Sequence, residues 1–229
     1  MEAGTAGWAL YRLLAWLSPA FPIGAFSYSH GLEAAVESGA VRDRASLQSW
    51  IAAIVTGGSG RIDADILRDA HRAASAGDLL ALTAVNQRGL AYRATAELAL
   101  ESRAQGEAFL ATCRTAWPNS FLDEWAAIDQ RPCYAAAVGA ATARTGIPLE
   151  DVLLAYLQAM AANLVSAGLR LAIIGQTEGQ RILAALEAVV TRAAQDAAIR
   201  DPADFGSATF AVDLASMTHE TQYSRLFRS

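Results

Sequence analysis

Apolar residues recur along this chain at three- and four-residue spacing, and no segment alternates with a two-residue period. That period belongs to helices with one buried face. Trp8 to Leu17 carries Leu10, Leu13, Leu14 and Leu17 on one side. Leu32 to Ser38 reads as a short helix that Gly39 ends in the left-handed conformation. In Ser46 to Thr56, residues Leu47, Trp50, Ile51, Ile54 and Val55 share a face, and Gly57, Gly58 and Gly60 break the run. Ile62 to Ala74 places Ile62, Ile66, Ala70 and Ala73 inside and Asp65, Arg68, Asp69 and Arg72 outside. Gly77 closes it, and Asp78 caps a helix that starts at Leu79.

A long helix is predicted from Leu90 to Trp117, ended by Pro118 and Asn119. Ser102 and Gly106 are small on its apolar face, beside Leu98, Phe109, Leu110 and Cys113, which predicts another helix passing close by. Shorter helices follow over Phe121–Ile128 and Tyr134–Ala143. Pro148 opens a helix that is apolar almost all round, from Val152 to Leu171. A helix with no polar face is surrounded by others. Thr177 and Gln180 form a capping box for the next helix, and Asp201-Pro202 opens a less regular end. The pattern predicts an all-α fold: a single globular domain over residues 1–229, with roughly ten helices around a central buried one.

Composition narrows the function. The chain is 53% hydrophobic and 18% charged, enough for a real core, and its net charge of −5 argues against a nucleic-acid binder. All 18 basic residues are arginine. Without lysine there is no Walker A phosphate loop and no Schiff-base chemistry. Cys113 and Cys133 resemble neither a CxxC motif nor a disulfide framework, so two buried thiols in a reducing compartment are expected. The first residues lack the pattern of a secretory leader, and Gln158, Asn163 and Arg170 interrupt the most apolar segment. A cytoplasmic protein with no membrane span is expected.

Two stretches carry more than scaffold. LSPAFPIGAFSYSHGLE, residues 17–33, is a loop with two prolines and two glycines, yet it holds Phe21, Phe26 and Tyr28. Pro22 fixes its own φ and Gly24 permits a positive one, so Phe21, Pro22, Gly24, Phe26, His30 and Gly31 are expected to form a rigid, packed turn. The closing stretch HETQYSRLFRS, residues 219–229, is short, polar and basic, yet it interleaves Tyr223, Arg225, Leu226, Phe227 and Arg228. Tyr and Arg are common interface anchors, so residues from about 218 to 229 are expected to be ordered by partners.

Catalytic chemistry is harder to assemble. His30 and Glu33 have a metal-like spacing and His219 adjoins Glu220, but three histidines in all are too few for a metal cage in one subunit. Packing or polar histidines are the favoured alternative, with a weak or shared metal contact the other. Asp63, Asp65 and Asp69 near His71 are interleaved with Arg68 and Arg72, which predicts a solvated ion-pair face. No serine lies in a G-x-S-x-G elbow, and Gly57-Gly58-Ser59-Gly60 reads as a helix break. No catalytic, cofactor-binding or metal residues are assigned.

Together these residues resemble the UreF family of urease accessory proteins. The resemblance rests on residues 17–33 and 219–229, joined by Glu97-Leu98 with Ser102, Gly106 and Leu110, and by GQTEGQ at 175–180. It departs at Ala99 and Arg131, where the family often has arginine and histidine. The resemblance implies an all-α homodimer that is not itself an enzyme. It implies binding to UreD (also called UreH), recruitment of the GTPase UreG, and regulation of GTP-dependent nickel insertion into apo-urease. Nickel would be handled by the complex, with no tightly bound cofactor in this chain. Rival expectations are a helical metal-dependent hydrolase and a generic helical scaffold without a metal role.

Overall fold

The computed structural model describes residues 3–229. Among them are eleven α-helices: α1 Ala3–Trp16, α2 Leu32–Glu37, α3 Arg44–Gly57, α4 Ser59–Ser75, α5 Leu79–Ala91, α6 Ala96–Ala116, α7 Ser120–Ile128, α8 Tyr134–Arg144, α9 Leu149–Arg170, α10 Gln176–Ile199 and α11 Phe210–His219. Short 3-10 turns cover Ala25–Ser27 and Pro202–Asp204. The all-α fold is as predicted.

Local signals set most boundaries. Asp43 caps α3 by accepting from the Ser46 N–H, while Asp78, Thr95 and Asn119 accept from the first turns of α5, α6 and α7. Three boundaries differ from expectation. The predicted Leu90–Trp117 helix is two, broken over Tyr92–Thr95. There Arg93 turns inward, its Nη1 2.8 Å from Asp63 Oδ1, and Thr95 restarts the helix. The capping group of α10 is Glu178, whose carboxylate accepts the Gly175 N–H at 3.0 Å, in place of the Thr177–Gln180 pair. Helix α11 lies where a less regular end was expected.

The most enclosed helix is α8. Every residue from Ala135 to Thr142 is buried, and α4, α5, α6, α7 and α9 surround it. Its side chains are nearly all Ala or Gly, so its neighbours approach to backbone distance. A Cβ on Gly139 would lie 2.5 Å from the Leu67 carbonyl oxygen, and one on Gly106 of α6 only 2.1 Å from that of Pro132. The predicted close neighbour of the Ser102–Gly106 face is thus the start of α8. Helix α9 is apolar but buried on part of its surface, with Leu154 41% exposed. By length and composition α9 could cross a membrane; it packs against α3, α4, α8 and α10.

The charged side chains of α4 are a correction. Asp65 and Arg68 are each 1% exposed, not solvated. Arg68 Nη1 lies 3.1 Å from Asp65 Oδ1 and donates to the carbonyls of Ala197 and Arg200 at 2.8 and 3.2 Å. Arg200 pairs with Asp65 at 2.7 Å, and Arg88 with Asp69. The reason is position: α4 is enclosed by α3, α5, α8, α9 and α10, so the Asp65–Arg68 side is covered, while Arg72 stays exposed as expected. Arg68 satisfies the final carbonyls of α10, which have no partner within their own helix. Burial pushes the Asp65 carboxyl up, against the pull of Arg200 and Arg68.

Candidate functional site

The two stretches singled out in the sequence meet in space. Helix α11 packs on α2, and it does so closely because Gly31 has no side chain. A Cβ there would stand 2.6 Å from the Ser216 nitrogen. Gly31 also has φ +73, following His30 at φ +53, so the turn into α2 passes two left-handed residues in succession. Ser216 then meets Thr95 hydroxyl to hydroxyl at 2.8 Å, and Glu220 accepts the Ala96 N–H at 2.8 Å. These contacts fix α11 against the start of α6.

Beyond α11 the chain folds back onto three glutamates. His219, fully buried, lies between Glu97 Oε2 at 2.7 Å from Nδ1 and Glu33 Oε2 at 3.2 Å from Nε2. Glu33 accepts the backbone N–H groups of Leu226 at 2.7 Å and Phe227 at 2.9 Å. Arg225 Nη1 reaches Glu97 Oε1 at 2.7 Å. The Arg228 N–H donates to the Ser27 carbonyl, the Ser29 N–H to the Ser229 carbonyl, and the Ser229 hydroxyl to Glu101. Phe227 is 3% exposed, with the Arg170 guanidinium 4.3 Å from its ring centre. Arg170 also donates to the Phe26 carbonyl, tying the Pro/Gly turn to the same seat.

Within the chain itself, its own carboxylates hold residues 225–229. Among the five side chains put forward for partner contact, Phe227 points inward and Arg225 is engaged by Glu97. Tyr223 is fully exposed, Leu226 is 61% exposed and Arg228 faces solvent. In the turn, Phe21 and Tyr28 are buried, Gly24 has φ +71, and Phe26 is exposed rather than packed.

His30 and Glu33 take separate partners. His30 Nε2 lies 3.0 Å from Glu101 Oε1 and its Nδ1 3.2 Å from the Ser59 hydroxyl. Among the described residues no three His, Cys, Asp or Glu side chains converge as a metal-binding group. Cys113 and Cys133 are buried and unbonded, and burial pushes the Cys133 thiol up to about 11.

Glu101 is shared between this seat and a cavity of about 360 Å³ behind the turn. Its Oε1 takes His30 and Gln105 on the cavity side, and its Oε2 takes Ser229. Asp63 and Arg93 stand in the same cavity wall, and Tyr156 donates to Asp63 at 2.9 Å. Burial works against charge on Arg93, but the Asp63 carboxylate outweighs it and holds the guanidinium protonated. Burial raises the Tyr156 hydroxyl well above its ordinary value. The cavity wall therefore carries a fixed Asp63–Arg93 charge pair beside the Tyr156 hydroxyl.

Burial alone would lower the His30 pKa, but the Glu101 carboxylate reverses this and the net direction is up. The charged ring is favoured in the folded protein, so its stabilisation is complete below the ordinary value of 6.5 and is lost as pH rises through the raised value. His30→Gln should accordingly lie furthest below the parent chain in urea midpoint near about pH 6, with the gap closing towards about pH 9. A gap that is constant with pH would exclude a charged His30.

Glu97 and Glu101 went unassigned in the sequence. With Gln105 they recur every fourth residue on α6, beside the small Ser102 and Gly106, a spacing that marks a polar stripe on a buried face. Glu33 was singled out only through its spacing from His30, and Arg170 only as an interruption of an apolar run. Both act on residues more than fifty positions away, which no local pattern reveals.

A family model described as UreF matches residues 41–187. The urease accessory protein UreF of Bradyrhizobium sp. (strain ORS 278) is 51% identical over 221 residues, covering 96% of this chain and 92% of that protein. That of Azorhizobium caulinodans is 50% identical over 229 residues, covering 100% and 98%. That of Granulibacter bethesdensis is 48% identical over 228 residues, covering 99% and 97%. These last matches span both the Pro/Gly turn and the strip seated beside it. The chain belongs to the UreF family of urease accessory proteins.

Proposed function

We propose that this protein acts in urease maturation as a non-enzymatic, cytoplasmic adaptor for nickel insertion. As a homodimer it binds UreD (UreH), recruits the GTPase UreG and regulates the GTP-dependent transfer of nickel to apo-urease. The observation that carries the proposal is the seated strip at residues 220–229. Its backbone is clamped by Glu33, while Tyr223, Leu226 and Arg228 stand outward from a fixed base. A preorganised strip pays little ordering entropy on binding, which suits a docking surface. The absence of lysine, and with it of a P-loop, leaves the nucleotide chemistry to UreG.

The test is co-purification with UreD and UreG in the presence of GTP and nickel, followed by size exclusion with light scattering. Co-elution of all three is expected. Tyr223→Ala and Arg228→Ala should melt with the parent chain, since neither side chain touches the core, and should lose co-elution and urease activation together. A parent chain that elutes alone would overturn the adaptor role. Full co-elution of both variants would move the docking surface elsewhere and favour a generic scaffold for this strip.

A further inference from the structure

The cavity of about 360 Å³ behind the turn has the make-up of a small-molecule site, mostly apolar with a few polar groups. Leu17, Phe21, Ile23, Leu98 and Met160 give it apolar sides, and Pro19, Phe26 and Gln158 are its exposed rim. Among the described residues, two buried polar groups of its wall have no hydrogen-bond partner. Arg93, its side chain 5% exposed, spends Nε on the Gly89 carbonyl at 2.8 Å and Nη1 on Asp63 at 2.8 Å. Its Nη2 is left unpartnered. So is the Ser102 hydroxyl, one residue beyond Glu101 on α6. Buried polar groups are nearly always hydrogen-bonded, and an orphaned donor destabilises the fold until something accepts from it.

Charge on the wall selects the kind of head group. Asp63 is paired with Arg93, and Glu101 with His30 at 3.0 Å. Burial drives the Tyr134 and Tyr156 hydroxyls up, so both stay neutral. A charged ligand would enter with no countercharge to meet it. A neutral carbonyl or hydroxyl oxygen, by contrast, can accept from both orphaned donors. We propose that this cavity binds a small neutral amphiphile, its apolar body along Phe21, Ile23 and Met160 and its oxygen on Arg93 Nη2 and Ser102 Oγ. The proposal stands apart from the adaptor role, since neither donor belongs to the seated strip.

The experiment is methyl NMR on the full chain with labelled methionine, titrated with hexanamide, hexanoate and hexylamine. Met160 lines the cavity, and Met217, 48% exposed on α11, is the control. Hexanamide should shift the Met160 methyl saturably, with half-saturation below about 1 mM, and leave Met217 in place. The two charged compounds should bind at least about tenfold more weakly. Ser102→Ala should melt with the parent chain, because its hydroxyl bonds to nothing, and should weaken hexanamide about fivefold. Ala162→Leu, which fills the cavity from α9, should abolish the Met160 shift. If no compound shifts Met160 saturably, the proposal is overturned and the cavity belongs to water. Tighter binding of hexanoate or hexylamine would overturn the neutral head group, and unchanged affinity in Ser102→Ala would overturn its placement. The titration is read on the parent chain, so it stands even if a variant does not fold.

Discussion

Gly106→Val should unfold this protein more readily than any other single change on α6. A Cβ at Gly106 would lie 2.1 Å from the Pro132 carbonyl oxygen, 2.7 Å from the Cys133 carbonyl carbon and 2.8 Å from the Tyr134 nitrogen. All three are backbone atoms at the start of the most enclosed helix, so no side-chain rotation relieves the overlap. Helix α6 would have to withdraw from α8, opening the contacts of Phe109 with Phe21, Trp16 and Tyr134 at ring separations of 5.3, 6.0 and 5.7 Å. Overpacking of this kind costs about 3 kcal/mol. In a chain of this length that lowers Tm by roughly 6–12 °C. Ala111→Val, on the exposed side of the same helix, is the control and should change Tm by no more than about 1–2 °C, a propensity effect. Thermal unfolding of the two variants side by side measures this; equal Tm values would mean that α6 and α8 are not in backbone contact.

Glu33→Ala should release the closing strip while leaving the helical core folded. The substitution removes the acceptor for the Leu226 and Phe227 N–H groups and one of the two carboxylates on His219. Leaving a buried N–H donor without an acceptor costs about 1–3 kcal/mol for each group. Most of that loss is local, since the hydrogen-bond partners of residues 225–229 lie on the turn, α2 and α6. Cleavage by trypsin after Arg225 and Arg228 should accelerate at least about tenfold, with far-ultraviolet circular dichroism unchanged. Glu33→Gln keeps the shape and one acceptor oxygen, so its strip should be cut at an intermediate rate. Urease activation should fall in the same order if the seated strip is the docking surface. Unchanged cleavage in Glu33→Ala would show that the strip is held by other contacts.

These two variants separate what the chain needs to fold from what it needs to act. Gly106 is a packing residue whose effect is read in Tm alone. Glu33 is a positioning residue, and its effect is read at residues it does not neighbour in sequence.

Sequence determined the helical class, because three- and four-residue periodicity and the caps at Asp43, Asp78 and Asn119 depend on residues within one or two turns of each other. It also marked Ser102 and Gly106 as a close-approach face, and Gly24 as a left-handed turn position. The family resemblance was legible from residues 17–33 and 219–229, which the fold then brought together.

The tertiary structure alone decided where charge is buried and where the chain turns. Asp65 and Arg68 read as a solvent face because charged residues at helical spacing look the same whether water or α10 lies beside them. The break at Tyr92–Thr95 has only the Thr95 cap as a local signal, since the other residues there tolerate a helix; the pairing of Arg93 with Asp63, thirty positions back, turns the chain inward. The closing strip had the composition of a solvated tail. It is seated because Glu33, Glu97 and Glu101, on two helices far from it in sequence, converge on one place and leave backbone N–H groups and two histidines as their partners. Convergence of that kind is a property of packing, and periodicity carries no record of it.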